Sequence, residues 1–255
     1  MKRILSLTLA FALLLSALSL ISCGKVKDGD TVERLATKTP YELYTSERSV
    51  LIKASEYSLV TTQTNLQEFD GTSKSATRTS INKLSGNNSY AKVTNDSDSS
   101  LNREAWYIDG VRYTSMFGKK TKSDYNQTSF YNEYMAANSP LTTMIMLEES
   151  MFDGKVFERS EGYWVLSLTL SAEWYMQQLN SVSASGNVLP NVMSGDVTYK
   201  LYFNDSGKIQ KIFTAYDVNT SEFKAHYETT TEVELDNVTV SAPADASKYQ
   251  YTALP

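Results

Sequence analysis

Residues 106–113 read Trp106-Tyr107-Ile108-Asp109-Gly110-Val111-Arg112-Tyr113, two short runs of strand-forming residues that flank an Asp-Gly pair. A two-residue Asp-Gly connection is typical of a type I′ turn, because both central residues of that turn need a positive φ. This turn joins antiparallel strands, since its backbone twist matches the twist of the strands beside it. The stretch therefore predicts a β-hairpin, and with it an antiparallel sheet.

Alternating patterns on both sides of the hairpin extend the predicted sheet. Toward the N-terminus, strands are predicted at residues 57–64, 74–83 and 90–94, which are rich in threonine, tyrosine and valine. Toward the C-terminus, three more strands place a row of side chains on one face: Trp164, Leu166, Leu168 and Leu170; Val197, Tyr199, Leu201 and Phe203; Tyr227, Thr229, Thr231, Val233 and Leu235. One-sided strands joined by short turns indicate an antiparallel sheet whose other face is in water.

Three helices are predicted to cover the apolar face of this sheet. The first begins at Thr39, where threonine as N-cap, Pro40 and Glu42 form a capping box, and it ends near Ala54. The second spans residues 140–151 and the third spans residues 171–182. Together these elements predict an α+β fold, a curved antiparallel sheet packed on two or three helices.

The N-terminus carries the pattern of an exported protein. Met1, Lys2 and Arg3 form a basic start, and an apolar run extends from residue 4 to residue 21. This order is typical of a secretory signal. The run ends in Leu20-Ile21-Ser22-Cys23-Gly24, which resembles the bacterial lipobox, where the cysteine is lipidated and signal peptidase II cuts before it.

We therefore predict a signal peptide at 1–22, a lipidated Cys23 with a flexible tether at 23–38, and a single domain at 39–255. The anchor would hold the protein on the extracytoplasmic face of the cell membrane. One alternative is an uncleaved transmembrane anchor, although about 18 apolar residues barely span a bilayer. Another is an ordinary signal peptide in which Cys23 has no role. Cys23 is the only cysteine, so the mature domain is predicted to contain no disulfide.

Charge and composition exclude several kinds of chemistry. The net charge is −5, and it falls to −7 without residues 1–22, which contain Lys2 and Arg3. An acidic protein does not suit the phosphates of nucleic acid, and the one histidine, His226, leaves few options for metal or nucleophilic sites. We expect no cofactor, no metal site and no catalytic residue. Glu232 and Glu234 share one face of a strand, as a solvated acidic stripe or, alternatively, as the two carboxylates of a glycosidase.

The order of these features resembles a known family. A lipidated N-terminus and a capped helix precede long strands and the 106–113 hairpin. A later segment reads Tyr199-Lys200-Leu201-Tyr202-Phe203-Asn204-Asp205-Ser206-Gly207-Lys208-Ile209, and the closing segments read Asn237-Val238-Thr239-Val240 and Pro243-Ala244-Asp245-Ala246. Over residues 39–250 this pattern resembles the half-barrel lipoproteins of the LolA and LppX type, especially those of Gram-positive bacteria. The resemblance implies a sheet curled around helices, with a lipid between them in some members, and it implies no particular functional residue.

A ligand site is predicted where short helices leave the apolar face of the sheet uncovered. Its lining would comprise Met144, Ile145, Trp164, Leu166, Leu168, Tyr199, Leu201 and Phe203, next to Leu170. Apolar pockets of this kind bind small hydrophobic ligands. The alternative is that the same side chains pack to normal density and leave no cavity. The aromatic stretch from Tyr125 to Tyr134 is expected to form either an exposed binding loop or a cover on the half-barrel mouth.

These patterns favour a non-enzymatic binding protein that holds a lipid or another apolar ligand at the membrane. The alternative is a lipoprotein for protein–protein interaction or assembly in the envelope, without a small-molecule ligand. A hydrolase that acts on cell-wall polymer is a third class.

Overall fold

A single twelve-stranded sheet dominates the computed structural model, which describes residues 35, 37–69, 71–182 and 193–253. The sheet is curved and does not close on itself. In chain order its strands are β1 (Glu56–Phe69), β2 (Thr72–Ser85), β3 (Asn88–Asn95), β4 (Arg103–Ile108), β5 (Val111–Met116), β6 (Lys119–Asp124), β7 (Glu158–Ser160), β8 (Tyr163–Ser171), β9 (Met193–Phe203), β10 (Ile209–Asn219), β11 (Lys224–Glu234) and β12 (Gln250–Tyr251).

Two meanders that meet at the centre make up this sheet. The order across it is β12-β6-β5-β4-β3-β2-β1-β11-β10-β9-β8-β7. The first meander, β1 to β6, runs outward from the centre, and the second, β7 to β11, runs back until β11 pairs with β1. Neighbouring strands are antiparallel, except that β12 pairs with β6 in parallel. The predicted curved antiparallel sheet is confirmed.

The chain between the two meanders crosses one face of the sheet. This segment, residues 125–157, is called the crossover; it leaves β6, which lies next to the edge strand β12, and reaches the opposite edge of the sheet at β7. It contains helix α2 (Gln127–Phe130), a π-helical turn (Tyr131–Met135), helix α3 (Pro140–Thr143) and two 3₁₀ turns (Ala136–Asn138 and Glu149–Phe152). The side-chain nitrogen Nδ2 of Asn82 on β2 donates to the backbone carbonyl groups of Met135 and Asn138, both at 2.8 Å. The face that the crossover covers is called the inner face.

Two longer helices complete the cover of the inner face. Helix α1 (Pro40–Lys53) begins with the predicted capping box, in which the backbone of Glu42 donates to Thr39 Oγ1 over 3.2 Å. Helix α4 (Ala172–Val182) packs against β8 and β9. The predicted helices at 39–54 and 171–182 are thus confirmed.

The predicted helix at 140–151 is wrong beyond Thr143. From Met144 to Glu148 the chain is irregular, and its carbonyl groups bind side chains from other elements where a helix would use its own amides. Arg48 Nε donates to the Met144 carbonyl over 2.8 Å, and the Tyr44 hydroxyl donates to the Ile145 carbonyl. Tertiary hydrogen bonds therefore replace helical ones in this segment.

The 106–113 hairpin has the predicted turn. Asp109 and Gly110 have φ values of 47° and 87°, as a type I′ turn requires. The β1–β2 hairpin is longer than predicted, with pairs from Glu56–Ser85 to Phe69–Thr72. Its far end is exposed at Thr72 and beyond, so both faces are polar there and the alternation that reveals a strand is lost.

The predicted signal peptide (1–22) and Cys23 lie outside the described residues, as does most of the predicted tether (23–38). Leu35, within that tether, is half-buried and packs against the core, so the folded chain includes it. Among the described residues, no helix has both the length and the apolar character that crossing a bilayer requires.

Candidate functional site

The inner face is divided into an apolar core and a polar cleft. The inner face changes from apolar to polar along strand β1 and its two neighbours, β2 and β11. Leu59 on β1 pairs with Val233 on β11, and the next inner-face row pairs Thr61 with Thr231 and with Ser80 of β2. The row after that pairs Gln63 with Thr229 and with Arg78. The inner face therefore becomes polar along these strands, away from helix α1.

The eight residues predicted to bind a ligand lie together in the apolar core. Strand pairing places Leu166 opposite Leu201, Leu168 opposite Tyr199, and Trp164 opposite Phe203. Met144 and Ile145 of the crossover are 0% and 1% exposed, and of the eight only Trp164 is half-buried. None of the eight lines the cleft described next. Their role in ligand binding stays a prediction.

The cleft lies beside this core and has a volume of about 440 Å³. Its floor is the inner face of six neighbouring strands, from β4 through β3, β2, β1 and β11 to β10. Residues 132–143 of the crossover form its roof, and helix α4 contributes Tyr175 and Leu179. Five spacings of about 4.8 Å separate β4 from β10, so the floor extends roughly 24 Å along the curve of the sheet.

The middle of the cleft is a network of hydroxyl and amide groups. The hydroxyl of Thr61 lies 2.9 Å from that of Thr231 and 2.6 Å from Asn138 Oδ1 on the roof. The side-chain amide nitrogen of Asn138 is buried and has no hydrogen-bond partner in the protein. Buried donors without a partner are rare in folded proteins, so this group marks an unusual point of the network.

The two ends of the cleft differ in character. Arg78 on β2 and Arg103 on β4 lie at one end, and both are exposed. Desolvation, followed by the neighbouring positive charge of Arg103, lowers the pKa of Arg78. The other end is made by Ile212 and Tyr216 of β10 with Tyr175 and Leu179 of α4. Burial raises the pKa of Tyr175 to about 12, so this hydroxyl is neutral at physiological pH.

Sequence reasoning missed the cleft because it looked for an apolar lining. The signal was present as three polar residues at alternate positions of β2, Arg78, Ser80 and Asn82. They fall on the same face as Leu84, which packs against the core. Polar residues on the core side of a strand mark either a solvated cavity or a buried network.

The aromatic stretch and the candidate acid–base residues lie apart from one another. Phe130 is buried and Tyr134 lines the cleft, so the stretch covers the inner face, which is one of the two arrangements considered from the sequence. His226 lies exposed on the outer face of β11, with Nδ1 2.7 Å from Asp217 Oδ1, and this hydrogen bond raises its pKa. Glu232 and Glu234 are exposed on the same face. Within the described ranges, no three metal-ligating side chains cluster.

No protein-family model and no curated protein matches this sequence. Among solved structures, the chain is similar to LprF from Mycobacterium bovis, with 12% identity, a TM-score of 0.39, and 79% of this chain and 95% of that chain covered. It is similar to lipoprotein LppX from Mycobacterium tuberculosis, with 8% identity, a TM-score of 0.39, and 80% and 100% covered. It is also similar to a LolA superfamily protein from Nitrosomonas europaea, with 9% identity, a TM-score of 0.26, and 79% of this chain and 96% of that chain covered. LolA- and LppX-type proteins are thus among the similar structures, as the sequence resemblance predicts. The strand order of the sheet establishes the fold class.

Proposed function

We propose that this protein is a binding protein of the cell envelope that holds an amphiphilic small molecule in the inner-face cleft. The observation that carries the proposal is the cleft itself, about 440 Å³ in volume and open to solvent between the crossover and the sheet. Small-molecule sites have volumes of about 300–1,000 Å³ and combine apolar walls with a few placed polar groups. The cleft fits both parts of that description.

The lining favours an amphiphile over the purely apolar ligand expected from the sequence. Hydroxyl groups cover the floor at Thr61, Ser80, Thr214, Thr229 and Thr231. An apolar molecule would take water from these groups without replacing its hydrogen bonds, which is unfavourable. A molecule with a polar part and a hydrocarbon part can match the arginine end and the aromatic end at once.

We also propose that the protein acts by binding and not by catalysis. In the part of the chain that the structure describes, the cleft is lined by no Asp, Glu, His, Cys or Lys side chain. General acid–base catalysis mostly uses those groups, and a serine or threonine nucleophile needs one of them beside it as a base. The exposed carboxylates of Glu232 and Glu234 lie on the outer face of β11, away from the cleft.

The proposed location is the extracytoplasmic face of the cell membrane, through a lipid on Cys23. The lipobox-like segment supports it, since Cys23 follows an apolar run and a small residue. Cells grown with radioactive palmitate should label the wild-type protein and not the Cys23→Ser variant. A wild-type protein that never takes up label would contradict the anchor and leave the cleft proposal untouched.

Ligand binding is tested on the full chain with Cys23→Ser, which has no thiol to acylate. Native mass spectrometry should show a co-purified small molecule, and titration with Nile red, a neutral apolar fluorophore, should saturate. Ser80→Trp, on the cleft floor, should reduce both signals. Thr79→Trp is the matched control, because it is the adjacent residue of β2 and faces the other side of the sheet.

A chain that carries no small molecule and binds no probe would refute the proposal. The protein-partner function considered from the sequence would then take its place. Equal loss of binding in both tryptophan variants would also count against the cleft, because it would show a general effect on the sheet.

A further inference from the structure

We infer that the ligand is anionic, and that Arg78 and Arg103 together bind its acidic headgroup while its hydrocarbon part extends toward helix α4. This inference rests on the proposed function and names the ligand class that the cleft would take. It assigns the headgroup site to the β2–β4 end of the floor, and the hydrocarbon site to the β10 end.

Strand register brings the two arginines to the same place. Ser80 on β2 pairs with Val93 on β3, and Val93 pairs with Arg103 on β4. Arg78 lies two residues from Ser80 on the same strand, and therefore on the same inner face. The two side chains thus stand on either side of Val93, two strand spacings apart, and both line the cleft. Long guanidinium side chains from these positions can reach one anion between them.

The charges around the pair leave it without a counterion. The chain has 29 acidic residues, yet none of those in the described ranges lines the cleft. Two like charges side by side are unfavourable, and the charge of Arg103 adds to desolvation, the larger cause, in lowering the pKa of Arg78. A carboxylate or phosphate would relieve the repulsion and accept bidentate hydrogen bonds from the planar guanidinium groups.

The other arginines of the described ranges all have partners. Arg112 lies 3.5 Å from Glu133 and 4.0 Å from the centre of the Tyr125 ring. Arg159 pairs with Asp205, and Arg48 donates to the Met144 carbonyl. Among the residues described, Arg78 and Arg103 make no hydrogen bond or ion pair with protein. The contrast supports a function for the pair beyond stabilising the fold.

The roof of the cleft also carries a polar side chain, Asn138. The Nδ2 group of Asn138 is buried without a partner, while its Oδ1 accepts from Thr61. Beyond it, Leu179 and Ile212 continue the lining, in keeping with a hydrocarbon chain that leaves the headgroup in this direction.

The inference is tested by calorimetric titration of the full chain with Cys23→Ser. The probes are decanoate, decyl phosphate and neutral decanol, each below the concentration at which it aggregates, and inorganic phosphate, which lacks a chain. The Cys23→Ser chain with an unchanged cleft should bind one or both anionic amphiphiles at least ten times more tightly than decanol. The tighter of the two names the headgroup as carboxylate or phosphate.

Single changes Arg78→Gln and Arg103→Gln should each weaken binding of the anion about tenfold or more, the usual effect of losing a hydrogen bond to a charged group. Their affinity for decanol should not change. Arg159→Gln is the control, since it removes the same charge from the paired, exposed Arg159 outside the cleft. It should leave every affinity unchanged.

The outcomes separate this inference from the proposed function. If decanol binds as tightly as the anions and the glutamine variants change nothing, the arginine site is refuted and the amphiphile cleft stands. If none of the decyl probes binds, the proposed function fails. If inorganic phosphate binds as tightly as decyl phosphate, the anion site is supported and the hydrocarbon site is refuted.

Discussion

Two buried tyrosines of the core differ in the hydrogen bonding of their hydroxyl groups. Tyr44 and Tyr57 are 1% and 2% exposed. The Tyr44 hydroxyl donates to the Ile145 carbonyl, whereas the Tyr57 hydroxyl has no partner in the protein. Tyr44→Phe should lower the free energy of unfolding by about 1–3 kcal/mol, because it leaves a buried acceptor unpaired. Tyr57→Phe should be neutral or stabilising, because it removes an unpaired polar group.

The two variants are compared by urea unfolding followed by tryptophan fluorescence. Each serves as the control of the other, since the same hydroxyl is removed from a ring of the same size. Equal losses of stability in both would contradict the prediction, because they would show that the hydrogen bond to Ile145 does not distinguish the two hydroxyl groups.

The site predicted from sequence is tested at Ile145. This side chain is 1% exposed and belongs to the core. Ile145→Trp should therefore lower the free energy of unfolding by about 1–3 kcal/mol, the usual effect of overpacking. Met146→Trp is the control, because the neighbouring Met146 is 62% exposed. If Ile145→Trp unfolds at the wild-type urea concentration, there is space around it and the predicted apolar site gains support.

Which residues are buried could be predicted from sequence, but where the cavity lies could not. Alternation along a strand fixes the face of each side chain, and Leu166, Leu168 and Tyr199 are buried as that pattern predicts. A cavity instead depends on how far a cover reaches across the sheet. That distance is set by the path of the crossover, which carries no periodic signal.

At the scale of single elements, the hairpin turn gives the sharpest test. Gly110 has a φ of 87°, and a Cβ atom added there would meet nothing within 4 Å. Gly110→Ala should therefore act through the backbone alone and lower the free energy of unfolding by about 1–2 kcal/mol. Asp109→Asn is the control, because asparagine also tolerates the positive φ of 47° at that position. An alanine variant as stable as wild type would contradict the type I′ turn.

Helices α1 and α4 could be predicted because their signals are local. Thr39, with its capping box, and Ser171, whose hydroxyl accepts from the Trp174 amide over 3.3 Å, come directly before the helices that they begin. The segment after Thr143 has the same local pattern, with Ser139 and Pro140 before it, but Arg48 and Tyr44 bind its carbonyl groups. These partners are about 100 residues away in the chain, so a local pattern could not reveal them.

For the molecule as a whole, the antiparallel sheet could be predicted and the strand order could not. Short turns indicate which neighbouring strands form hairpins, and the pair predicted in this way, β4 with β5, is confirmed. The pair at the centre, β1 with β11, joins residues as distant as Thr61 and Thr231, which are 170 positions apart. Both strands are rich in threonine and have several compatible partners, so only the packed molecule determines the pairing.

The buried tyrosines lie on several elements of the molecule, and together they should make the folded protein less stable at high pH. The chain has 17 tyrosines, and burial raises the pKa of several of them above the ordinary value of 10.0. Tyr175 reaches about 12. Burial also raises the pKa of others in the core: Tyr44, Tyr57, Tyr199 and Tyr216.

These shifts stabilise the folded protein below pH 10, where folded and unfolded chains both keep their phenolic protons. As the pH rises from 10 to 12, the unfolded chain loses protons that the folded chain retains. The free energy of unfolding should then fall by about 1.4 kcal/mol per pH unit for each such tyrosine.

Urea midpoints should stay level from pH 7 to 9 and drop steeply above 10, together with a rise in tyrosinate absorbance at 295 nm on unfolding. In the Tyr175→Phe variant, the free energy of unfolding should fall less steeply with pH above 10, by about 1.4 kcal/mol per pH unit, because one fewer proton is involved. A midpoint that stays level to pH 11.5 would show that the buried tyrosines ionise as readily in the folded sheet as in the unfolded chain.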